Sequence, residues 1–343
     1  MQITTVGLDL AQHIFQVHAV DGTGQAVVRK RLRRAELLSF FASLPPCLIG
    51  MEACATSHHW ARELIKLGHT VKLMPPAYVK AYVKRGKTDA ADAEAICEAV
   101  ARPSMRFVPV KSAEQQSVLM LHRVRALLIR QRTMLVNALR GHLAEFGIIV
   151  AQGISRIREL IAILTGESPD APLSPLARRA LAPLVDQLLD LQPRIRGLEA
   201  ELLAWHRQSQ ESRRLETIPG VGFITATAIA ATVPDPSLFR SGREFAAWLG
   251  LTPRPNSSGG KERVGRISKM GDGYLRTLLV VGATAVIRYA RTKTAAETAW
   301  ISSLLSKKPV RLVSVALANK TARIAWALLS RGEVYRSATP AGA

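Results

Sequence analysis

Cysteine is scarce in this chain. Its three residues, Cys47, Cys54 and Cys97, include no CxxC pair, and no histidine cluster stands at zinc spacing. That pattern excludes a disulfide framework and a structural zinc site, and it fits a reducing compartment. Acidic residues are also few, 26 against 47 lysines and arginines, which leaves a net charge of +21 and a pI of about 10.7. Solubility alone does not require so large an excess, and a polyanion is its natural partner through counterion release at phosphates. Long apolar runs are missing too: Gly220 to Val233 and Leu278 to Ile287 are too short to span a bilayer. The first residues enter an apolar strand pattern without the basic n-region and small-residue cleavage site of a signal peptide. The expectation is a soluble protein of the cytoplasm, associated with the nucleoid.

What is present is ordinary globular material, 48% hydrophobic over 343 residues, enough for two domains or three compact pieces. Ile3 to Leu10, Ile14 to Val20 and Ala26 to Leu32 read as strands, the first two leading to the turn Asp21-Gly22-Thr23-Gly24. Ala35 to Leu44 reads as helix, Cys47 to Met51 as a buried strand, Ser57 to Leu67 as helix and Val71 to Met74 as strand. This order predicts an α/β layered domain, and its opening three-strand meander points to a ribonuclease H-like fold. From Ser112 to about Phe146 the pattern is helical, with Leu121, Leu128 and Leu135 seven apart and Arg123, Arg125, Arg130, Arg132 and Arg140 on other faces. Both a solvated surface and a phosphate-tracking face fit those arginines.

Ser174-Pro175 predicts a helix start. The seam Leu184, Leu188, Leu191, Ile195, Leu198, Leu202, Trp205 alternates spacings of four and three, as in a coiled coil. Pro193 should kink or weaken it, so packing within the chain competes with dimerisation. After Glu216, Ile218-Pro219-Gly220-Val221-Gly222 opens a small-residue helix and resembles half of a helix-hairpin-helix, in which Gly220 and Gly222 would offer backbone N–H groups to a phosphate. A last helix runs from Pro309 to about Ser330, capped by Gly332. The expected division is a metal-binding domain over 1–150, a helical coiled-coil linker over 151–210 and a mainly helical C-terminal domain over 211–343.

Two constellations carry chemistry. Asp9 ends the first strand and Glu52 the buried fourth, while Asp89 and Asp92 stand three apart at a helix start, about 5–6 Å from each other on one face. Asp89 could serve only as a cap. Four carboxylates on converging elements suit two hard divalent cations acting on a phosphate. The second set is Gly250 to Arg276, where hydroxyls lie among glycines with Arg254, Lys261, Arg263, Arg266 and Lys269. There a serine could attack phosphorus with cations stabilising the developing charge, although a Ser/Gly/Pro surface loop has the same composition.

Gly7-Leu8-Asp9-Leu10-Ala11, Met51-Glu52-Ala53-Cys54, Lys87-Thr88-Asp89-Ala90-Ala91-Asp92, Ile218-Pro219-Gly220-Val221-Gly222 and the Gly250 to Arg276 block, in that order, resemble the DEDD transposases of bacterial insertion sequences, the family that includes the Piv DNA invertase. The usual Glu-Ala-Thr-Gly reads Glu52-Ala53-Cys54-Ala55 here, which keeps the acid. The resemblance implies a RuvC resolvase-like domain whose Asp9, Glu52, Asp89 and Asp92 bind Mg2+, two ions per active site. It implies a nucleophilic serine immediately before a glycine, Ser258, with Ser257 as the adjacent competitor. It further implies DNA partners at the element ends and target, a homo-oligomer of two or four chains, a metal site acting on a neighbouring subunit's serine, and, in some members, a guiding noncoding (bridge) RNA.

Three other readings stand beside it: a junction-resolving nuclease using only carboxylates and water, a sugar-kinase-like ATPase suggested by Gly7-Leu8-Asp9 and Asp21-Gly22-Thr23-Gly24, and a non-catalytic nucleic-acid binder.

Overall fold

The computed structural model describes residues 2–83, 88–167, 173–256, 264–290 and 295–336. The chain divides into two compact units, Met1–Gln116 with Val233–Asp235, and Ser117–Thr232 with Pro236–Ala343.

The first unit is a five-stranded sheet between helices. Its strands are β1 (Ile3–Asp9), β2 (Ile14–Asp21), β3 (Ala26–Arg33), β4 (Leu48–Glu52) and β5 (Thr70–Met74), with α1 (Leu37–Ala42), α2 (Ser57–Lys66), α3 (Pro76–Val79) and α4 (Asp89–Val100). Sheet order is β3-β2-β1-β4-β5; the first three strands form an antiparallel meander, and β4 and β5 add in parallel to β1. This is the order expected of a ribonuclease H-like sheet. Alternation along the strands sorts two faces. Val6, Leu8, Phe15, Val17, Leu32, Ile49 and Met51 pack with Phe41, Trp60 and Leu64 of α1 and α2. The opposite face receives α4, whose Ala95, Ile96, Ala99 and Val100 cluster with Met74 and Val79.

Glycine lets α4 lie on that face. Gly7 and Gly50 are register partners on β1 and β4. A Cβ on Gly7 would fall 2.1 Å from the Ala93 carbonyl oxygen and 2.5 Å from the Cys97 nitrogen, and one on Gly50 would fall 2.7 Å from Val100 Cβ. Cys97 Sγ lies 3.8 Å from the Thr5 carbonyl while Ala93 lies over Gly7, so α4 runs antiparallel to β1 and its first turn points toward the Asp9 end.

The Asp21-Gly22-Thr23-Gly24 turn is a hairpin connection. Asp21 Oδ1 accepts from the Thr23 hydroxyl (2.7 Å), the Thr23 N–H (2.9 Å) and the Gln25 N–H (3.1 Å), and the Thr23 hydroxyl chiefly holds the carboxyl below its usual range. The donors a nucleotide phosphate would need are already engaged by Asp21, which removes the loop as support for the ATPase reading.

Among its described residues the second unit is helical apart from one strand pair: α5 (Ala113–Ala144), α6 (Ile157–Thr165), α7 (Pro175–Gln208), α8 (Gln210–Glu216), α9 (Phe223–Thr232), α10 (Gly242–Trp248), β6 (Pro253–Pro255), β7 (Val264–Ile267), α11 (Gly273–Ala290), α12 (Ala295–Leu305) and α13 (Val310–Arg331). Ser174 caps α7 by accepting from the Ala177 N–H at 3.1 Å. Helix α7 then continues without interruption through Pro183 and Pro193. Both prolines are exposed, so the carbonyls left without an N–H partner can turn to water. The heptad seam is spent within the chain: Leu188 packs with Leu139, Leu143, Leu160 and Leu164, and Leu202 with Val118 and Ala231.

Helix α13 begins after Pro309 and ends at Gly332 in the left-handed region, φ 69°, as the sequence predicts. Its length and apolarity would also allow a membrane crossing. Its buried Val313, Ala318, Ala322 and Ala325 and its packing on α10 and α11 make it a core helix.

Candidate nuclease centre and serine hairpin

Asp9 and Glu52 occupy the last positions of adjacent parallel strands, one residue beyond the Leu8–Met51 register pair. Both are half-buried. Each stands two residues past a glycine of the Gly7–Gly50 pair, so both lie on the α4 face. Thr88 is the N-cap of α4, its hydroxyl accepting from the Ala91 N–H at 3.2 Å. Asp89 is therefore the first helical residue and is not needed as the cap. Asp92, half-buried, and Asp89, exposed, project from the turn aimed at the Asp9 end.

The four carboxylates thus share one face and one end of the sheet. Among the described residues, no three His, Cys, Asp or Glu side chains stand together as a ready metal cluster. The donor chemistry, all carboxylate oxygen, fits a hard divalent cation.

In the second unit Gly250 to Asn256 and Val264 to Gly271 are described on either side of the serines. Strands β6 and β7 pair antiparallel, and Ser257, Ser258, Lys261 and Arg263 lie outside the described residues, between them. The base of the hairpin is stapled. Ser268 N–H donates to Thr252 O at 2.8 Å and Lys269 N–H to Gly250 O at 3.2 Å. Arg276 Nη1 donates to Leu249 O (2.9 Å) and Met270 O (2.8 Å), and Arg254 Nη2 to Ser268 O (2.9 Å).

Gly250 (φ 69°) and Gly271 (φ 67°) permit the crossing, because a Cβ on Gly271 would sit 1.9 Å from Trp248 O. Lys269 also has positive φ, 54°, an uncommon conformation for a residue with a side chain. Arg266 and Lys269 are exposed. The sequence shows Arg276 only as one more cation; its staple role follows from tertiary contacts with no local signature.

Of the α5 arginines, Arg125 pairs with Glu199 (2.6 Å), Arg132 donates to Gln192 (2.9 Å) and Arg140 to Val150 O (3.2 Å). Arg123 and Arg130 are left exposed. Gly222 is exposed. A Cβ at Gly220 would fall 2.8 Å from Gly282 O, so close approach to α11 by itself accounts for that glycine.

Beside the hairpin, a buried polar chain ties α5, α9 and α11. The Thr227 hydroxyl donates to Phe223 O (2.7 Å) and lies 3.0 Å from His122 Nε2, while His122 Nδ1 lies 3.0 Å from the Tyr274 hydroxyl. With the threonine proton committed, Nε2–H is the donor to Thr227 and Nδ1 accepts from Tyr274. Burial depresses the His122 pKa to about 4 and raises that of Tyr274.

Because the folded-state value lies below the ordinary one, the contribution of neutral His122 is present above about pH 6.5 and lost as pH falls toward about 4. By linkage it amounts to about 3 kcal/mol. Urea midpoints should therefore decline over that window in the native chain and decline less in His122→Gln. Equal pH profiles in the two proteins would refute this role.

A Ser212–His206–Glu216 set, at 2.7 and 2.8 Å, resembles a hydrolase triad. Ser212 is fully buried, so the set is a structural clip between α7 and α8.

Two family models match the chain: residues 6–148 match the DEDD transposase model of the IS110 type, and residues 212–298 match "Transposase IS116/IS110/IS902 family". These matches define the class as transposase, an enzyme that cleaves and rejoins DNA. Similar proteins include the "Probable family 20 transposase" of Pseudomonas aeruginosa, 52% identical over 98% of this chain and 99% of its own. The "Transposase for insertion sequence element IS1111A" of Coxiella burnetii is 41% identical over 97% and 92%, and that of IS1328 from Yersinia enterocolitica 39% over 97% and 98%. The chain belongs to the IS110/IS116/IS902 family of transposases.

Proposed function

We propose that this transposase moves its own insertion sequence through a covalent serine–DNA intermediate, with Ser258 as nucleophile. The carrying observation is that Asp9, Glu52 and the first turn of α4 share one face at one end of the first unit's sheet. Asp9, Glu52, Asp89 and Asp92 would hold Mg2+, which when bound supplies charge stabilisation at phosphorus. Ser258 Oγ bonds to phosphorus as a phosphorus–sugar oxygen bond breaks; in net balance the serine proton passes to the departing sugar hydroxyl. Attack by the hydroxyl of the exchanged strand reverses the step and frees the serine.

Arg254, Lys261, Arg263, Arg266 and Lys269 neutralise the phosphate, and Arg123, Arg130, Gly220 and Gly222 contact nucleic acid further away. In this reading residues 1–150 are the RuvC-like domain, 151–210 a helical spacer and 211–343 the serine-bearing domain. Strand exchange needs at least two copies, a noncoding RNA from the element guides the choice of target, and the protein works at the nucleoid.

The test is detection of a protein–DNA adduct by intact mass, using a suicide substrate with Mg2+ and any copurifying RNA. The wild type and Ser257→Ala are expected to form it and Ser258→Ala to lose it. Because all four carboxylates reside in the first unit, a water-using junction nuclease is the second reading; metal-dependent cleavage without an adduct in all three proteins would establish it instead.

A further inference from the structure

The edge strand β3 carries Arg29, Lys30, Arg31 and Arg33, followed by Arg34. Strand alternation sorts them by face. Lys30 lies over the Phe40 ring (5.2 Å) and Arg34 over Trp60 (4.9 Å), on the face covered by α1 and α2. Arg29, Arg31 and Arg33 point to the other face, which holds the carboxylates.

The register places them there residue by residue: Asp9 pairs with Gln16 and Gln16 with Arg31, Gly7 with His18 and His18 with Arg29, and Ile14 with Arg33. Asp9, Gln16 and Arg31 therefore form one line across three strands, with the Arg31 Cα about 10 Å from that of Asp9. All three arginines are exposed, and among the described residues none forms an ion pair with a carboxylate. Glu36 is occupied by the backbone N–H of Arg33, at 2.8 Å.

A charged edge also discourages strand pairing between molecules. That need is met by charge on either face and does not account for three unpaired arginines on the carboxylate side while the other two cations are laid over aromatic rings.

We infer that Arg29, Arg31 and Arg33 form a phosphate-binding row that leads the DNA strand to be cut across the sheet face to Asp9 and Glu52. The inference rests on the carboxylate-centre reading above. Guanidinium groups suit this task because each can make paired hydrogen bonds to a phosphate while neutralising it. Carboxylates alone would repel the backbone they must act on, and the row offsets that repulsion along the path of approach.

The experiment is a salt titration of binding to a duplex carrying an end of the genomic element that encodes the chain, using full-length protein with its copurifying RNA. Each lost phosphate contact should lower the slope of log affinity against log salt by about 0.7–0.9. Arg29→Gln/Arg31→Gln/Arg33→Gln is expected to lower it by about 2–3 and to slow cleavage in proportion to lost occupancy, and the corresponding triple lysine chain to regain most of the slope. Lys66→Gln/Arg102→Gln, on exposed cations of the same unit already paired to Glu63 and Glu98, should leave it unchanged.

A folded glutamine triple with the wild-type slope overturns the inference, as does a slope that falls for a free RNA probe but not for the DNA. If the triple is destabilised, Arg31→Gln alone decides by its single-contact change. Asp9→Asn run in parallel separates the two claims: wild-type cleavage in that protein removes the carboxylate centre, whereas the arginine slope is read from binding alone.

Discussion

Asp9→Asn is expected to cut strand cleavage by on the order of 10²–10³-fold or more while leaving DNA binding intact. The exchange is nearly isosteric, removes one charge at the end of β1, and leaves the apolar packing of Val6 and Leu8 untouched. Binding should hold or tighten slightly, because the protein carries a net charge of +21 and loses a negative group facing the phosphates. Glu52→Gln and Asp92→Asn should behave alike. Asp89 is more exposed and stands at the first position of α4, so Asp89→Asn should cost less. Cleavage and filter binding measured on the same preparations check this; loss of binding together with cleavage would mean that the acids support the fold and not the chemistry.

The second large effect is structural. Gly7→Ala should destabilise the first unit by about 1–3 kcal/mol or more, a fall in melting temperature of roughly 10 °C. The added methyl meets the Ala93 carbonyl oxygen and the Cys97 nitrogen, at 2.1 and 2.5 Å. Both are main-chain atoms and can yield only if α4 itself moves. Gly50→Ala meets Val100 Cβ at 2.7 Å and its two methyl groups at 3.0 Å, so Val100→Ala, which removes the methyl groups and keeps the Cβ, should rescue only part of the loss. No truncation at Cys97 should rescue Gly7→Ala. Thermal melts of the four chains test the contrast, and a rescue at Gly7 by Cys97→Ala would show that the side chain, not the helix backbone, sets the approach.

The sheet was legible because its signals are local. Strand periodicity, the Asp21-Gly22-Thr23-Gly24 turn and the acids directly after Leu8 and Met51 all sit within a few residues of the feature they announce. The cap of α4 was ambiguous because Thr and Asp both accept hydrogen bonds at helix starts; backbone geometry assigns Thr88. How far Pro193 weakens α7 depends on which way it faces, which propensity does not register; on the solvent side of the helix its cost falls.

The seam of α7 has the spacing of a coiled coil and also that of any long helix packed against two neighbours, so spacing could not choose between them. Neither the stapling of the hairpin by Arg276 nor the sorting of the β3 cations by face could be read from sequence. The first joins Leu249 O, 27 residues away, to Met270 O, six residues away, through one guanidinium, and the second depends on a register that only the paired strands define.

The contact between α4 and the sheet has a consequence for inheritance. The distance from the Asp9 and Glu52 strand ends to the acids of α4 is fixed largely where a helix carbonyl and amide meet a strand with no side chain between them. Mutation can trim or enlarge side chains, but it cannot edit main-chain atoms. An element that is copied and drifts can therefore replace much of the surrounding surface while its acids keep their spacing, so long as Gly7 never gains a methyl group.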